Sequence, residues 1–209
     1  MDFLSFKNKL KQRIGNHQPN PDAQQLMAPF KLGNRKVLME MNDNPRLGGV
    51  MILVFNKENK AHLTLIRRPE YDGVHSGQIA FPGGQKDDTD KDIGETALRE
   101  TFEEVGIRIS TGKVLGQISQ VYIPPSKFLV TPFVAVLDEY PVFKKDDFEV
   151  AEVLEVPVSV LFDKAIIKQG NVDVGSQGMK MKVPYFDIFG HKVWGATAIM
   201  LSEFKAIMQ

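Results

Sequence analysis

Three glutamates crowd into the segment 99–107, which runs from an arginine to the residue after a glycine. With 3.6 residues per turn, Glu100, Glu103 and Glu104 fall within an arc of about 100° on one side of a helix. Like charges at i and i+4 destabilise a helix by a few tenths of a kcal/mol, and nearby only Arg99, four residues before Glu103, offsets them. The segment therefore predicts a helix whose acids hold a divalent cation.

The ends of this helix can also be predicted. Asp90 or Asp92 is a candidate N-cap, and Gly106 is expected to end the helix in the left-handed conformation. An apolar stripe at i, i+4 and i+7 is expected to face the core, formed by Leu98, Phe102 and Val105.

Charge and composition exclude several classes of function. Lysine plus arginine and aspartate plus glutamate number 26 each, and cysteine is absent. There is no net field to attract nucleic acid or a membrane surface, and disulfides and thiolate metal sites are excluded. No segment approaches the roughly 18 apolar residues of a membrane span, and no signal peptide is evident. We expect a cytoplasmic protein with no nucleic-acid or membrane partner.

The N-terminal part reads as an attachment to a larger domain. Residues 3–14 have helical apolar spacing and are expected to end near Gly15. Residues 23–48 are ambiguous, with a strand or an irregular arm around 36–41. We expect residues 1–47 to pack on a domain formed by 48–209, and the first helix is a candidate interface for a homodimer.

The remaining pattern mixes strands and helices. Residues 49–55 and 61–67 predict a hairpin across 56–59. Further strands are expected at 113–121, 128–136 and 183–188, with a short helix and turn at 149–161 and a closing helix at 196–208. Because strands and helices do not alternate regularly, an α+β fold is favoured.

The segment just before the acidic helix suggests how a metal is held. Phe81, Pro82, Gly83 and Gly84 form a tight turn, in which a backbone carbonyl can approach an ion. Ligands that are all oxygen suit Mg²⁺ or Mn²⁺, whereas zinc favours histidine or cysteine. A carboxylate-bound Mg²⁺ usually completes its shell with waters and substrate phosphates. This chemistry indicates metal-assisted hydrolysis of a small phosphate-containing substrate.

Residues 84–107 resemble the signature of the Nudix hydrolases, G-x5-E-x7-R-E-U-x-E-E-x-G-U, where U is aliphatic. The match is close from Arg99 to Ile107, although Thr101 stands at an aliphatic position. Asp90 replaces the first glutamate, and eight residues rather than seven separate it from Arg99. The resemblance implies a Nudix α/β/α sandwich with a mixed β-sheet and a loop-helix-loop motif. It also implies Mg²⁺ or Mn²⁺ held by Glu100, Glu103, Glu104 and the Gly84 carbonyl.

Residues 63–68 and 75–84 are similar to the coenzyme A pyrophosphatase branch of that family. Arg68 and Gly77 fit its motif, whereas Pro69 replaces a small residue and Gly73 an arginine. The implied reaction cleaves coenzyme A or its derivatives to adenosine 3',5'-bisphosphate and 4'-phosphopantetheine. ADP-ribose, a dinucleoside polyphosphate or a modified nucleoside triphosphate remain alternative substrates. A non-catalytic nucleotide-binding regulatory module is an alternative of another class.

The resemblance also assigns candidate roles to individual residues. The catalytic candidates are Glu103, Glu104 and Glu152. Nudix enzymes commonly recruit a further glutamate as ligand or base, and Glu149 and Glu152 both remain open for this role, with Glu152 favoured. The candidates for substrate binding are Arg68, His75 and Gln78. The residues expected to support the site are Arg99, through an i, i+4 ion pair with Glu103, and Gly83 and Gly106. Trp194 is expected either to stack on an adenine or to lie in the core.

Overall fold

A computed structural model describes residues 1–29, 44–73, 75–174 and 179–209. The helices in these ranges are α1 (Phe3–Gly15), α2 (Pro21–Gln25), α3 (Ile93–Val105) and α4 (Gly195–Met208). The strands are β1 (Arg46–Lys57), β2 (Lys60–Arg67), β3 (Ile79–Ala80), β4 (Gly83–Gln85), β5 (Val114–Gln117), β6 (Val121–Ile123), β7 (Phe128–Leu137), β8 (Glu152–Pro157), β9 (Ile167–Val174), β10 (Met179–Ile188) and β11 (His191–Val193). Three 3-10 turns lie at Thr111–Lys113, Val158–Phe162 and Lys164–Ile166.

The main sheet is mixed, as predicted. Its central path runs β3-β2-β1-β7-β5, with β4 on β1, β6 on β7 and β8 on β2. β1 and β7 are parallel from the pair Arg46–Phe128 to the pair Phe55–Leu137, and the other pairings are antiparallel. A second sheet of three antiparallel strands has the order β11-β10-β9.

Helices cover both faces of the main sheet because its central strand is apolar on both sides. Along β1, Met51 and Leu53 join the apolar cluster that contains Ala97 and Val105 of α3. The alternate residues Ile52 and Val54 join a larger cluster with residues of α1 and α4. Alternation of this kind places successive side chains on opposite faces of a strand. The predicted α/β/α sandwich is confirmed.

The elements with strong local patterns are confirmed. β1 and β2 form the predicted hairpin, whose turn residues Glu58 and Asn59 have φ of 52° and 59°. Two left-handed residues in succession are typical of a tight hairpin turn. The predicted helix at 3–14 is present as α1, the closing helix as α4, and the strands at 128–136 and 183–188 within β7 and β10. The arm predicted around 36–41 lies outside the described residues.

The short helix predicted for 149–161 is wrong. Glu152–Pro157 is the strand β8, which pairs with β2 from His62 to Arg67, and a 3-10 turn follows it. Leu154 and Val156 are buried while their neighbours are half-buried, so the segment follows the period of a strand. The strand predicted at 113–121 is two strands, β5 and β6, with a bulge between Val114 and Gly116. No prediction from the sequence covered α2, β9 or β11.

The first helix packs on the rest of the molecule. Its buried residues Phe3, Phe6, Leu10 and Ile14 belong to the larger apolar cluster. Lys7 forms an ion pair with Asp138 just after β7. β1 begins at Arg46, close to the predicted boundary between 47 and 48. The division of the chain into residues 1–47 and 48–209 stays a prediction, and so does the homodimer.

Candidate active site

The acid-bearing helix begins and ends in well-defined caps. The Asp92 carboxylate accepts a hydrogen bond of 2.9 Å from the Glu95 N–H, so Asp92 rather than Asp90 is the N-cap. Gly106 ends the helix with φ of 74°, and its N–H donates to the Phe102 carbonyl at 2.9 Å. A Cβ at Gly106 would lie 2.7 Å from the Lys144 carbonyl oxygen, so glycine is required there.

The buried face of α3 is not the one predicted. Ala97, Thr101 and Val105 are buried, whereas Phe102 is 42% exposed beneath the Arg108 guanidinium. Small side chains on this face let the helix lie close to β1, and the Thr101 hydroxyl is satisfied by the Ala97 carbonyl at 2.6 Å. The prediction that Phe102 faces the core as part of the apolar stripe is therefore wrong. The buried face also carries Glu104.

The three glutamates extend from the interior to the solvent. Glu104 is 3% exposed and accepts a hydrogen bond of 2.8 Å from the Gly83 N–H. The Glu100 carboxylate lies against Gly84, where a Cβ would stand 2.5 Å from both of its oxygens. The Glu103 side chain is 49% exposed. The turn predicted to approach the cation thus directly contacts two of the three acids.

Burial makes the charged form of two of these acids costly. Burial raises the pKa of the Glu104 carboxyl to about 8, against the opposing effects of the Gly83 N–H and the Arg68 charge. Burial likewise raises the pKa of Glu100. Glu149 adds to both upward pKa shifts, so its carboxylate lies near the two acids. Buried carboxylates are stabilised in their charged form by a nearby cation.

The donor set fits a hard divalent cation. Glu100 and Glu104 offer carboxylate oxygens beside the backbone of Gly83 and Gly84, and hard cations prefer such ligands. Within the described ranges, no three acidic, histidine or cysteine side chains already surround a common metal position. Glu100 and Glu103 instead both accept hydrogen bonds from Arg99, at 2.9 and 2.7 Å.

Arg99 connects the helix to the loop before it. The predicted i, i+4 ion pair with Glu103 is present. Arg99 also donates to both carboxylate oxygens of Asp90, each at 3.0 Å, and to the Gln85 carbonyl at 3.2 Å. These hydrogen bonds hold the pKa of the Asp90 carboxyl well below its usual range. The sequence did not reveal that Asp90, one residue out of register with the family pattern, holds Arg99.

The two adjacent arginines separate as strand alternation predicts. Arg68 lines the cavity beside the glycine turn, and its Nη2 lies 3.4 Å from the Gly83 carbonyl oxygen. Arg67 instead pairs with Glu152 at 3.2 Å. His75 and Gln78 line the same cavity, joined by a hydrogen bond of 2.9 Å, and burial lowers the pKa of His75.

The two downstream glutamates have different surroundings. Glu152 is half-exposed and lies near Arg67 and, at 3.7 Å, near His191. Glu149 lies in the segment after β7, where the Asp146 N–H donates to the Glu104 carbonyl at 3.0 Å. The Asp146 carboxylate in turn accepts from the Glu149 N–H at 3.2 Å. Glu149, and not the favoured Glu152, therefore lies with the acids of α3.

A cavity of about 770 Å³ opens beside the glycine turn. Its polar side contains Arg68, His75, Gln78 and β4. The rest of its lining is mostly apolar and comes from distant parts of the chain, including Tyr122, Pro124, Pro125, Phe128, Met181 and Trp194. Trp194 therefore lines the cavity next to the first turn of α4. A cavity of this size accommodates a molecule as large as a nucleotide derivative.

Known proteins are similar to this chain in sequence and in fold. The model of the NUDIX domain matches residues 45–172. An uncharacterized Nudix hydrolase, NudL, of Photorhabdus laumondii subsp. laumondii is 34% identical over 169 residues, which cover 81% of this chain and 88% of the relative. A protein with the same description from Pectobacterium atrosepticum is 37% identical over 146 residues, covering 68% and 72%.

A solved structure agrees at the level of the fold. A MutT/nudix family protein from Enterococcus faecalis superimposes with a TM-score of 0.51 at 17% identity, over 90% of this chain and 71% of that one. Among the described residues, no helix has the length and apolar character needed to cross a bilayer. The domain match and the two relatives agree with the acidic helix and its glycine turn, and the chain therefore belongs to the Nudix family of pyrophosphate hydrolases.

Proposed function

We propose that the protein hydrolyses the diphosphate of coenzyme A or its derivatives, giving adenosine 3',5'-bisphosphate and 4'-phosphopantetheine. The observation that carries this proposal is the cavity of about 770 Å³, which joins Arg68 and the glycine turn to a long apolar wall. The guanidinium suits a diphosphate, and the apolar wall suits the pantetheine arm. The similarity of residues 63–68 and 75–84 to the coenzyme A branch gives independent support.

The proposed metal ligands are Glu100, Glu103, Glu104 and the Gly84 carbonyl. When bound, Mg²⁺ or Mn²⁺ would neutralise the diphosphate and lower the pKa of water in the site. Glu100 and Glu103 would exchange their hydrogen bonds with Arg99 for this role. Arg99 would remain anchored by Asp90 and so would hold the loop in place.

The chain's own groups would orient and cleave the diphosphate. Arg68 would bind a phosphate oxygen, with His75 and Gln78 as further donors at the same end of the cavity. A water would attack one phosphorus while the bridging P–O bond breaks, so that each product carries a phosphate monoester. We assign the proton from this water to Glu149 rather than Glu152, because Glu149 lies near Glu100 and Glu104.

The substrate proposal is tested with a panel of compounds. Coenzyme A, an acyl-coenzyme A, ADP-ribose, dinucleoside polyphosphates and a modified nucleoside triphosphate are incubated with Mg²⁺ or Mn²⁺, and the products are identified by mass spectrometry. We expect the highest kcat/KM for coenzyme A or its thioester, with adenosine 3',5'-bisphosphate as a product. A higher kcat/KM for any other compound would overturn the proposal.

The alternative substrates keep one specific observation in their favour. Gly73 stands where the coenzyme A branch has an arginine, and it lines the cavity without offering a charge. A cavity without a positive charge at this position suits a substrate with fewer anionic groups than coenzyme A, such as ADP-ribose. The non-catalytic alternative is disfavoured, because the chain keeps the buried and mutually repelling acids that a metal-dependent hydrolase needs.

A further inference from the structure

We propose that Arg46 is a second anion-binding residue of the substrate cavity, recognising a phosphate group outside the scissile diphosphate. Arg46 begins β1, and its guanidinium lies 4.3 Å from the centre of the Phe128 ring on the neighbouring strand. Its Nε donates to the Gln85 side-chain oxygen at 3.2 Å, and its Nη2 donates to the same atom. Arg46, Gln85 and Phe128 all line the cavity.

These contacts fix the position of the guanidinium without neutralising it. Stacking on an aromatic ring orients an arginine while leaving its outer N–H groups able to donate. Within the described ranges, the partners of Arg46 are the amide of Gln85 and the ring of Phe128, both uncharged. A held but charged guanidinium at a cavity wall is suited to bind an anionic group of the ligand.

The strand β4 relates Arg46 to the catalytic groups. Arg68 approaches the carbonyl of Gly83, the first residue of this strand, whereas Arg46 binds the side chain of Gln85, the last. At about 3.3 Å per residue, the Cα atoms of Gly83 and Gln85 are roughly 7 Å apart. Gly84, which contacts Glu100, lies between them. A diphosphate held at Gly84 and Arg68 would therefore place a further phosphate of the substrate within reach of Arg46.

The identity of that phosphate rests on the proposed function. In coenzyme A it is the 3'-phosphate of the ribose. The coenzyme A branch has an arginine at the position of Gly73. Arg46, at the start of β1, would then supply a guanidinium in its place. The cavity would select ligands that carry two separate anionic groups.

The experiment compares coenzyme A with 3'-dephospho-coenzyme A, which differ by this phosphate alone. The variants are Arg46→Gln and Arg46→Lys. The control is Arg108→Gln, which removes another exposed arginine stacked on a phenylalanine, at 4.2 Å, outside the cavity. We expect Arg46→Gln to lower kcat/KM for coenzyme A by about tenfold or more, mainly through KM. The value for the dephospho compound should be unchanged, Arg46→Lys should retain part of the preference, and Arg108→Gln should match the wild type.

An equal loss with both substrates, or no loss with either, would overturn the role of Arg46.

A binding measurement makes the result independent of hydrolysis. Titration calorimetry without metal compares adenosine 3',5'-bisphosphate with adenosine 5'-monophosphate. The wild type should bind the bisphosphate about tenfold more tightly, and Arg46→Gln should bind the two nearly equally. If coenzyme A is not hydrolysed, the proposal that it is the substrate is wrong. A tighter binding of the bisphosphate than of the monophosphate in the wild type, lost in Arg46→Gln, would still support the anion site. The anion site would be refuted if the wild type bound the two nucleotides equally, or if Arg46→Gln still bound the bisphosphate more tightly.

Discussion

Glu104 combines two properties that are costly in one residue, since it is an acid and is almost fully buried. Its hydrogen bond from the Gly83 N–H does not compensate for lost hydration, which is why its pKa rises to about 8. A neutral amide of the same shape would be tolerated at this position more easily than the carboxylate. A glutamate at this position therefore fits a requirement for negative charge during function.

We expect Glu104→Gln to abolish metal-dependent hydrolysis, a loss of at least about 100-fold, because the buried ligand charge is removed. The fold should be intact, as judged by circular dichroism and by a midpoint of thermal unfolding in metal-free buffer that is not lower than that of the wild type. The same substitution at Glu95, an acid of the first turn of α3 that caps the Lys91 N–H, is the matched control. Turnover like that of the wild type in Glu104→Gln would contradict the metal-site assignment.

At the scale of elements, the contacts of α3 with the rest of the chain depend on Gly106, the residue that ends the helix. Gly106 allows the chain to reverse so that the Lys144 N–H can donate to the Val105 carbonyl at 2.9 Å, next to the segment that carries Glu149. The terminator thus positions two parts of the site, the acids of the helix and the downstream glutamate.

Gly106→Ala should lower the free energy of unfolding by about 1–3 kcal/mol, because alanine is strained at positive φ. The added Cβ would also meet Lys144. Urea unfolding with an unchanged m-value measures the effect. Gly112→Ala is the control, since a Cβ at Gly112 would have no neighbour within 4 Å. Equal stability of the two variants would show that the left-handed cap is not important.

The elements also show where sequence reasoning succeeds. α1, the hairpin of β1 and β2, and the ends of α3 follow from local periodicity and capping residues, and they were predicted. The strand β8 was not predicted, because its glutamates recur at intervals of three residues, a spacing that fits a helix turn as well until β2 pairs with it. The exposure of Phe102 was missed for a related reason. Only the close approach of α3 to β1 makes Ala97 and Thr101 the buried face.

The candidate site divides in the same way. The acids and the glycine turn lie within 25 residues and carry a recognisable spacing. The ion pairs of Arg99 with Asp90 and of Arg67 with Glu152, and the nearness of Glu149 to the acids, depend on tertiary contacts. The apolar wall of the cavity comes from several separate elements, and no spacing in the sequence could have assembled it.

At the scale of the whole molecule, Asp138 ties the first helix to the sheet. Lys7 of α1 and Lys113 both pair with it, and these hydrogen bonds lower its pKa to about 2. Because the folded pKa lies below the unfolded value near 3.8, the stabilisation is present above pH 4. It is lost as the pH falls toward 2.

We therefore expect the wild type to exceed Asp138→Asn in stability at pH 7 by less than about 1 kcal/mol, since the pair is partly exposed. The difference should vanish by about pH 2 and should shrink at high salt. Urea unfolding at a series of pH values measures it. Asp147→Asn, which removes a local pair with Lys145, should show no such trend. A difference that is constant from pH 7 to pH 2 would contradict the role of Asp138.

The parallel pairing of β1 with β7 has a consequence for how the molecule is made. β4, which carries Gly84, pairs with β1, and β1 is held from Arg46 to Phe55 by a strand that begins only at Phe128. Closing so long a loop costs entropy before its contacts form, and such non-local pairs are slow to assemble. A nascent chain that ends before β7 would contain the complete family signature but not the sheet that supports it. The ability to hold a metal should therefore arise late in folding, after the ribosome has released β7.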